Sequence, residues 1–169
     1  MKLTKNEIRV LKLLVENPLA INSDVSKKLK ITSQAVGKIR KQLYEKGVIK
    51  NHELRLNYNK LDINILSIAL IKILPSVFKI FKNNELDKVV RPVNAIRSYA
   101  IRETDVTHII IYAFRDIEEY DTYFKDILDE FSDYVEIKHS FVLSSKSVLK
   151  SSSMDMLLKV LGEYRMNNK

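Results

Sequence analysis

The chain has 169 residues, 46% hydrophobic and 30% charged, with a net charge of +8, three glycines, three prolines and no cysteine. This suits a soluble globular protein of one or two small domains and excludes disulfides, thiol catalysis and cysteine-ligated zinc. There is no GxGxxG, Walker-type or HExxH run. His52, His108 and His139 are far apart in the sequence, so nucleotide enzymes and zinc hydrolases are disfavoured and no resident cofactor or metal is expected.

The charge is concentrated at one end. Residues 1–60 hold 14 basic and 5 acidic side chains, a net +9, and the remaining 109 residues sum to −1. Within that basic segment, Leu3, Ile8, Leu11, Leu14 and Val15 recur at helical spacing behind Thr4, which predicts a capped helix over 5–16 ended by Asn17-Pro18. Asn22 or Ser23 is placed to cap a second helix through Leu29, and Lys30-Ile31 forms the turn. Thr32 or Ser33 then caps a third helix running to about Lys46, which Gly47 stops. Val48-Ile49-Lys50 reads as a short strand, and the alternating Glu53–Tyr58 as its hairpin partner. Three helices and a hairpin of this size predict a winged helix-turn-helix over residues 1–60.

Helical geometry splits the third helix into two faces. Val36, Ile39 and Leu43 fall together on the core side, and Gln34, Gly37, Lys38 and Lys41 on the other. An amide and two cations suit the major groove, where Gln pairs with adenine and Lys reaches guanine or phosphate. Gly37 costs about 1 kcal/mol relative to Ala inside a helix, which close approach to DNA would offset. Ser33 at the helix start joins this DNA-facing set. Arg40 lies nearer the core side and either snorkels to a phosphate or packs its stem on the first helix. Lys50, His52 and Arg55 in the wing, and Lys27, Lys28 and Lys30 beside the turn, are phosphate-contact candidates.

Residues 64–74 are rich in β-branched side chains and predict a strand stopped by Pro75. Ser76 caps a helix containing Val77, Phe78, Ile80, Phe81, Leu86 and Val89-Val90, with a break near Asn83-Asn84. Two strands follow, 95–102 and 107–114, joined by the turn Glu103-Thr104-Asp105. Asp116 caps a helix whose Tyr120, Tyr123, Phe124, Ile127, Leu128 and Phe131 form a wide apolar stripe, and 135–143 is a last strand. The order βαββαβ is the ferredoxin-like pattern, so the fold class is α+β, with the second domain over 61–144. Its sheet carries helices on one face only. Apolar residues on both faces of strands 65–74 and 107–114 predict that the other face meets a second subunit. Residues 145–169 begin as a serine-rich linker, after which Met154, Leu157, Leu158 and Leu161 form a stripe widened by Met156, Val160 and Tyr164. That amphipathic helix is expected to dock, on its own dimer rather than on a neighbour.

With this domain order the chain resembles the Lrp/AsnC (feast/famine) transcription regulators over about residues 3–144. The closest local matches are Ile31-Thr32-Ser33-Gln34-Ala35-Val36 running to Leu43, Gly47-Val48-Ile49, Asp116-Ile117-Glu118-Glu119-Tyr120 and His139-Ser140-Phe141-Val142-Leu143. The resemblance implies an N-terminal winged helix-turn-helix and a C-terminal RAM-type βαββαβ domain that dimerises and senses amino acids. It also implies an effector pocket shaped by a Gly-x-x-Asp turn between the second and third strands. Here that turn is Arg102-Glu103-Thr104-Asp105: Asp105 matches, and Arg102 replaces the glycine, so it fills the pocket or alters its ligand. Arg40 likewise stands at a usually apolar recognition-helix position.

The leading functional expectation is a cytoplasmic, sequence-specific regulator that binds double-stranded DNA as a homodimer or higher homo-oligomer, with an amino acid or other small molecule as effector and no membrane partner. A non-specific architectural DNA-binding protein, and an amino-acid sensor whose DNA role is secondary, are two alternatives. A third is an enzyme, because sirohaem decarboxylases resemble the same two-domain layout; such an enzyme would draw on His108 and His139.

Overall fold

The computed structural model describes residues 2–50, 56–77, 83–101 and 105–164. It forms two compact units, Met1–Leu54 with Lys150–Lys169, and Arg55–Leu149. The C-terminal helix therefore belongs to the first unit rather than to the sheet domain that precedes it in sequence.

In the first unit, α1 (Lys5–Glu16), α2 (Asn22–Leu29) and α3 (Ser33–Glu45) pack around Val10, Leu14, Val25, Leu29, Val36 and Leu43. Burying each such aliphatic side chain contributes about 1.5–3 kcal/mol. The start of α1 is a full capping box: Thr4 Oγ1 accepts from Glu7 N at 3.2 Å, and Glu7 Oε2 accepts from Thr4 N at 2.7 Å. Thr32 caps α3 through Ala35 N at 3.1 Å. α2 departs from expectation. Its N-cap is Ile21, without a side-chain bond, because Asn22 lies inside the first turn and directs its carboxamide to α3 instead. Lys30 adopts the left-handed conformation, φ 54°, and turns the chain from α2 into α3. Gly47, φ 65°, ends α3 in the same region, where a β-carbon would be strained.

The expected strand Val48–Lys50 is absent. The main-chain N–H groups of Val48 and Ile49 both donate to Leu43 O, at 2.9 and 3.2 Å, so they close the end of α3 rather than begin a ladder. Residues 51–55 of the expected hairpin, with His52 and Arg55, lie outside the described residues. Tyr58, expected to end its second strand, instead opens a 3-10 turn over Tyr58–Leu61. C-terminal α6 (Met154–Glu163) docks on α1 within this unit: Leu161 is buried and Tyr164 Oη accepts from Leu3 N at 3.3 Å.

The second unit runs β1 (Ile65–Ile73), α4 (Asn83–Val90), β2 (Ala95–Ala100), β3 (His108–Phe114), α5 (Ile117–Phe131) and β4 (Val135–Ser144). Residues 78–82, part of the helix expected after Ser76, lie outside the described residues. The antiparallel sheet has the order β2-β3-β1-β4, as a ferredoxin-like fold requires. One face carries Ala69, Ile71, Ile73, Ile110, Tyr112 and Phe114, which pack against Val89, Phe124 and Phe131 of the helices. Tyr112, Phe114, Tyr120, Tyr123 and Phe124 form an aromatic cluster there, its closest rings 4.8 Å apart. By the alternation of the strands, Ile68, Leu70, Ile109, Ile111, Phe141 and Leu143 lie on the opposite face. Pairing slips between Leu70 and Ile71, which makes Lys138 an extra residue in β4.

Candidate nucleic-acid interface

The helix-turn-helix presents the outer side of α3. Ser33, Gln34, Lys38 and Lys41 are all exposed there. Lys41 Nζ lies 3.8 Å from Glu45 one turn on, but both side chains remain largely in solvent, and a pair of that kind contributes little. Lys27, Lys28 and Lys30 are exposed beside the turn, and Lys50 is exposed just past α3. The structure thus brings four of the predicted α3 residues onto one accessible polar surface edged by cations.

Gly37 and Arg40 sit elsewhere. Gly37 is half-buried, and a β-carbon there would stand 3.2 Å from Asn22 Nδ2. The gap in the helix surface is therefore occupied by the start of α2, and that close packing accounts for a residue without a β-carbon there. One turn on, Arg40 Nη1 donates to Asn22 Oδ1 at 2.8 Å and to Ala20 O at 3.1 Å. Arg40 thereby braces α3 against the α1–α2 connection and the first residue of α2. Asn22 accepts from Arg40 and fills the space beside Gly37, a role missed because Asn ahead of an apolar run reads first as a cap.

A second missed feature ties the C-terminal end of α3 to the start of α1. Glu7 is only 1% exposed, and its Oε1 accepts from Lys46 Nζ at 2.6 Å. The Lys46 bond and the Thr4 amide hold the Glu7 carboxyl below its ordinary range, against burial, which acts the other way. Thr4-x-x-Glu7 was the sequence signal for half of this arrangement.

In the sheet domain, Asp105 Oδ1 lies 3.2 Å from Lys138 Nζ and 3.8 Å from Lys72 Nζ, while Lys138 also binds Glu136. Glu136 and Asp105 together push the Lys138 ammonium above its usual range. Two lysines of this chain thus already lie beside the carboxylate expected to receive an effector. Arg102 lies outside the described residues. His108 belongs to the helix-packed side of β3, whereas His139 pairs with Leu70 on the opposite face. The two imidazoles therefore cannot serve one haem iron.

Residues 3–50 match the family model described as winged helix-turn-helix DNA-binding. No curated protein sequence is significantly similar to the chain. Among solved structures, a transcriptional regulator from Neisseria meningitidis in complex with L-Met is similar with a TM-score of 0.72 at 16% identity, over 90% of this chain and 96% of that one. An AsnC family transcriptional regulator from Agrobacterium tumefaciens gives 0.68 at 17% identity, over 89% and 95% of the two chains. LrpC from B. subtilis gives 0.68 at 16% identity, over 90% and 100%. The chain shares the fold of these three structures. Within that fold, the chain places its positive charge on the unit that matches the DNA-binding model, and it carries a docked C-terminal helix on that same unit.

Proposed function

We propose that the chain is a transcriptional regulator that reads the DNA major groove with α3. The observation that carries this reading is the exposed Ser33, Gln34, Lys38 and Lys41 face of a helix-turn-helix in a segment of net charge +9. Gln34 and Lys38 are assigned to base edges, and Ser33, Lys41, Lys50 and Arg55 to the phosphates. Gly37 and Arg40 act behind them by fixing α3 on α2. The protein works in the cytoplasm, and among the described residues no helix is long and apolar enough to cross a membrane. The open sheet face pairs with that of a second copy, so that two α3 helices meet successive turns of one groove. A small-molecule effector acts at the Asp105 end of the sheet, where it has to displace Lys138. The L-Met bound to the Neisseria protein favours an amino acid for that role.

Fluorescence anisotropy with a fragment of the protein's own promoter, a scrambled control and a salt series tests the reading. Gln34→Ala is expected to lower the preference for the promoter by about 1–3 kcal/mol with a smaller loss on the scrambled duplex. Lys41→Ala is expected to weaken both duplexes alike and to lower the salt slope by about 1. Equal binding to both duplexes by the unaltered protein would favour a DNA-coating role. No binding to either would overturn DNA recognition altogether.

A further inference from the structure

Within the first unit, a cavity of about 580 Å³ opens between α1, α3 and α6. Leu11 and Leu14 of α1, Tyr44 of α3, and Leu157 and Val160 of α6 are among its walls. Arg40 is its one charged lining residue among the described residues. Core voids in folded proteins seldom exceed a water molecule, whereas ligand sites run to about 300–1,000 Å³ with a few polar groups in an apolar lining. The cavity has that size and that lining. Its walls are also reachable from solvent, since Leu157 is 37% exposed and Val160 48%.

We propose that this cavity binds an apolar monocarboxylate of the medium-chain fatty acid class. Charge complementarity selects the class: the guanidinium fork of Arg40 is built for a carboxylate, and every other described wall that faces the tail is hydrocarbon or a tyrosine ring. Arg40 also links the cavity to α3. The bonds to Asn22 and Ala20 that seat α3 come from this same side chain, so a carboxylate competing for it loosens the seating of the recognition helix. The binding site stands without any role in DNA recognition, whereas its regulatory consequence rests on the DNA-binding function proposed above.

Titration calorimetry of the full chain with decanoate, and separately with 1-decanol, tests the site. The expected result is saturable binding of one decanoate per chain, with decanol weaker by about tenfold or more for want of the charge-assisted bond. Val160→Trp, which fills the cavity from α6, should abolish decanoate binding. Arg40→Gln should bring decanoate down to the affinity of decanol. Thermal melting identifies a variant that fails to fold; if Arg40→Gln does so, the decanoate-to-decanol ratio and Val160→Trp decide. Absence of saturable binding, equal binding of acid and alcohol, or full binding by Val160→Trp would each overturn the proposal. Promoter anisotropy with and without saturating decanoate reads the consequence separately. Unchanged DNA affinity overturns the regulatory role, and decanoate binding by a protein that ignores DNA overturns the DNA function while upholding the cavity.

Discussion

Replacing Glu7 with Ala is expected to destabilise the helical unit by about 2–3 kcal/mol, read as a fall of roughly 10 °C in its melting transition. The substitution removes the bond to Thr4 N at the start of α1 and the 2.6 Å bond from Lys46 at the end of α3, which lie 39 residues apart in sequence. The loss stays moderate because Lys46, with its side chain 34% exposed, recovers hydration when its partner is gone. The converse substitution, Lys46→Ala, is expected to be at least as damaging although it removes the more exposed residue. It strands a carboxylate that is 1% exposed, and an unpaired buried charge costs more than a lost surface cation. Acid titration separates the two. Because the folded Glu7 pKa lies below its ordinary value of 4.5, its contribution is complete above that value and is lost as the pH falls through the depressed one. The parent protein should therefore lose stability through this acid range, and Glu7→Gln should show a flatter profile there. Melting curves of Glu7→Ala that coincide with the parent at neutral pH would refute the structural role of the pair.

The features legible in the sequence were those whose causes are local. Thr4, Thr32 and Asp116 cap their helices through a bond to the third residue on, and alternation marks the strands because one face of the sheet is covered by helices. Where a residue had both a local and a distant partner, local reasoning failed. Asn22 has the chemistry of a cap and spends it on Arg40, 18 residues away. At Val48 and Ile49 the failure was local: both have strand propensity, yet their amides close the end of α3 on Leu43. The outer face of α3 followed from periodicity alone, whereas Gly37 and Arg40 could be assigned only once α2 was in place beside them. At the Asp105 turn, the family resemblance singled out a carboxylate but not its neighbours, since Lys72 and Lys138 arrive from two other strands and a one-residue bulge. The apolar cavity was out of reach for the same reason. Its walls come from both ends of the chain, and an amphipathic stripe over 154–164 says that the helix docks but not where.

Introducing charge into the open sheet face is expected to have the largest functional effect. Phe141 is 54% exposed, Leu143 41% and Tyr99 50%, and they adjoin Ile68, Leu70, Ile109 and Ile111 on one continuous surface. Apolar patches of this extent are uncommon on monomers and mark interfaces, and a flat face lined by alternate residues of every strand suits a second copy of itself. Under the proposed dimer, the parent protein sediments at twice the mass of a single chain or more, and Phe141→Asp and Ile111→Asp sediment at the mass of one. Neither substitution reaches the aromatic core on the other side of the sheet, so the melting transition of the monomeric variants should persist. The consequence for DNA follows from geometry rather than from any lost contact. Two α3 helices carried by one dimer bind half-sites about one helical turn apart, and the second engagement is then intramolecular. A monomer with α3 intact should consequently bind a single half-site as the parent does, yet lose about 10²–10⁴-fold on the full promoter. A Phe141→Asp protein that still sediments with the parent would remove the sheet face from the interface, and one that is monomeric with undiminished promoter affinity would show that each chain reads DNA by itself.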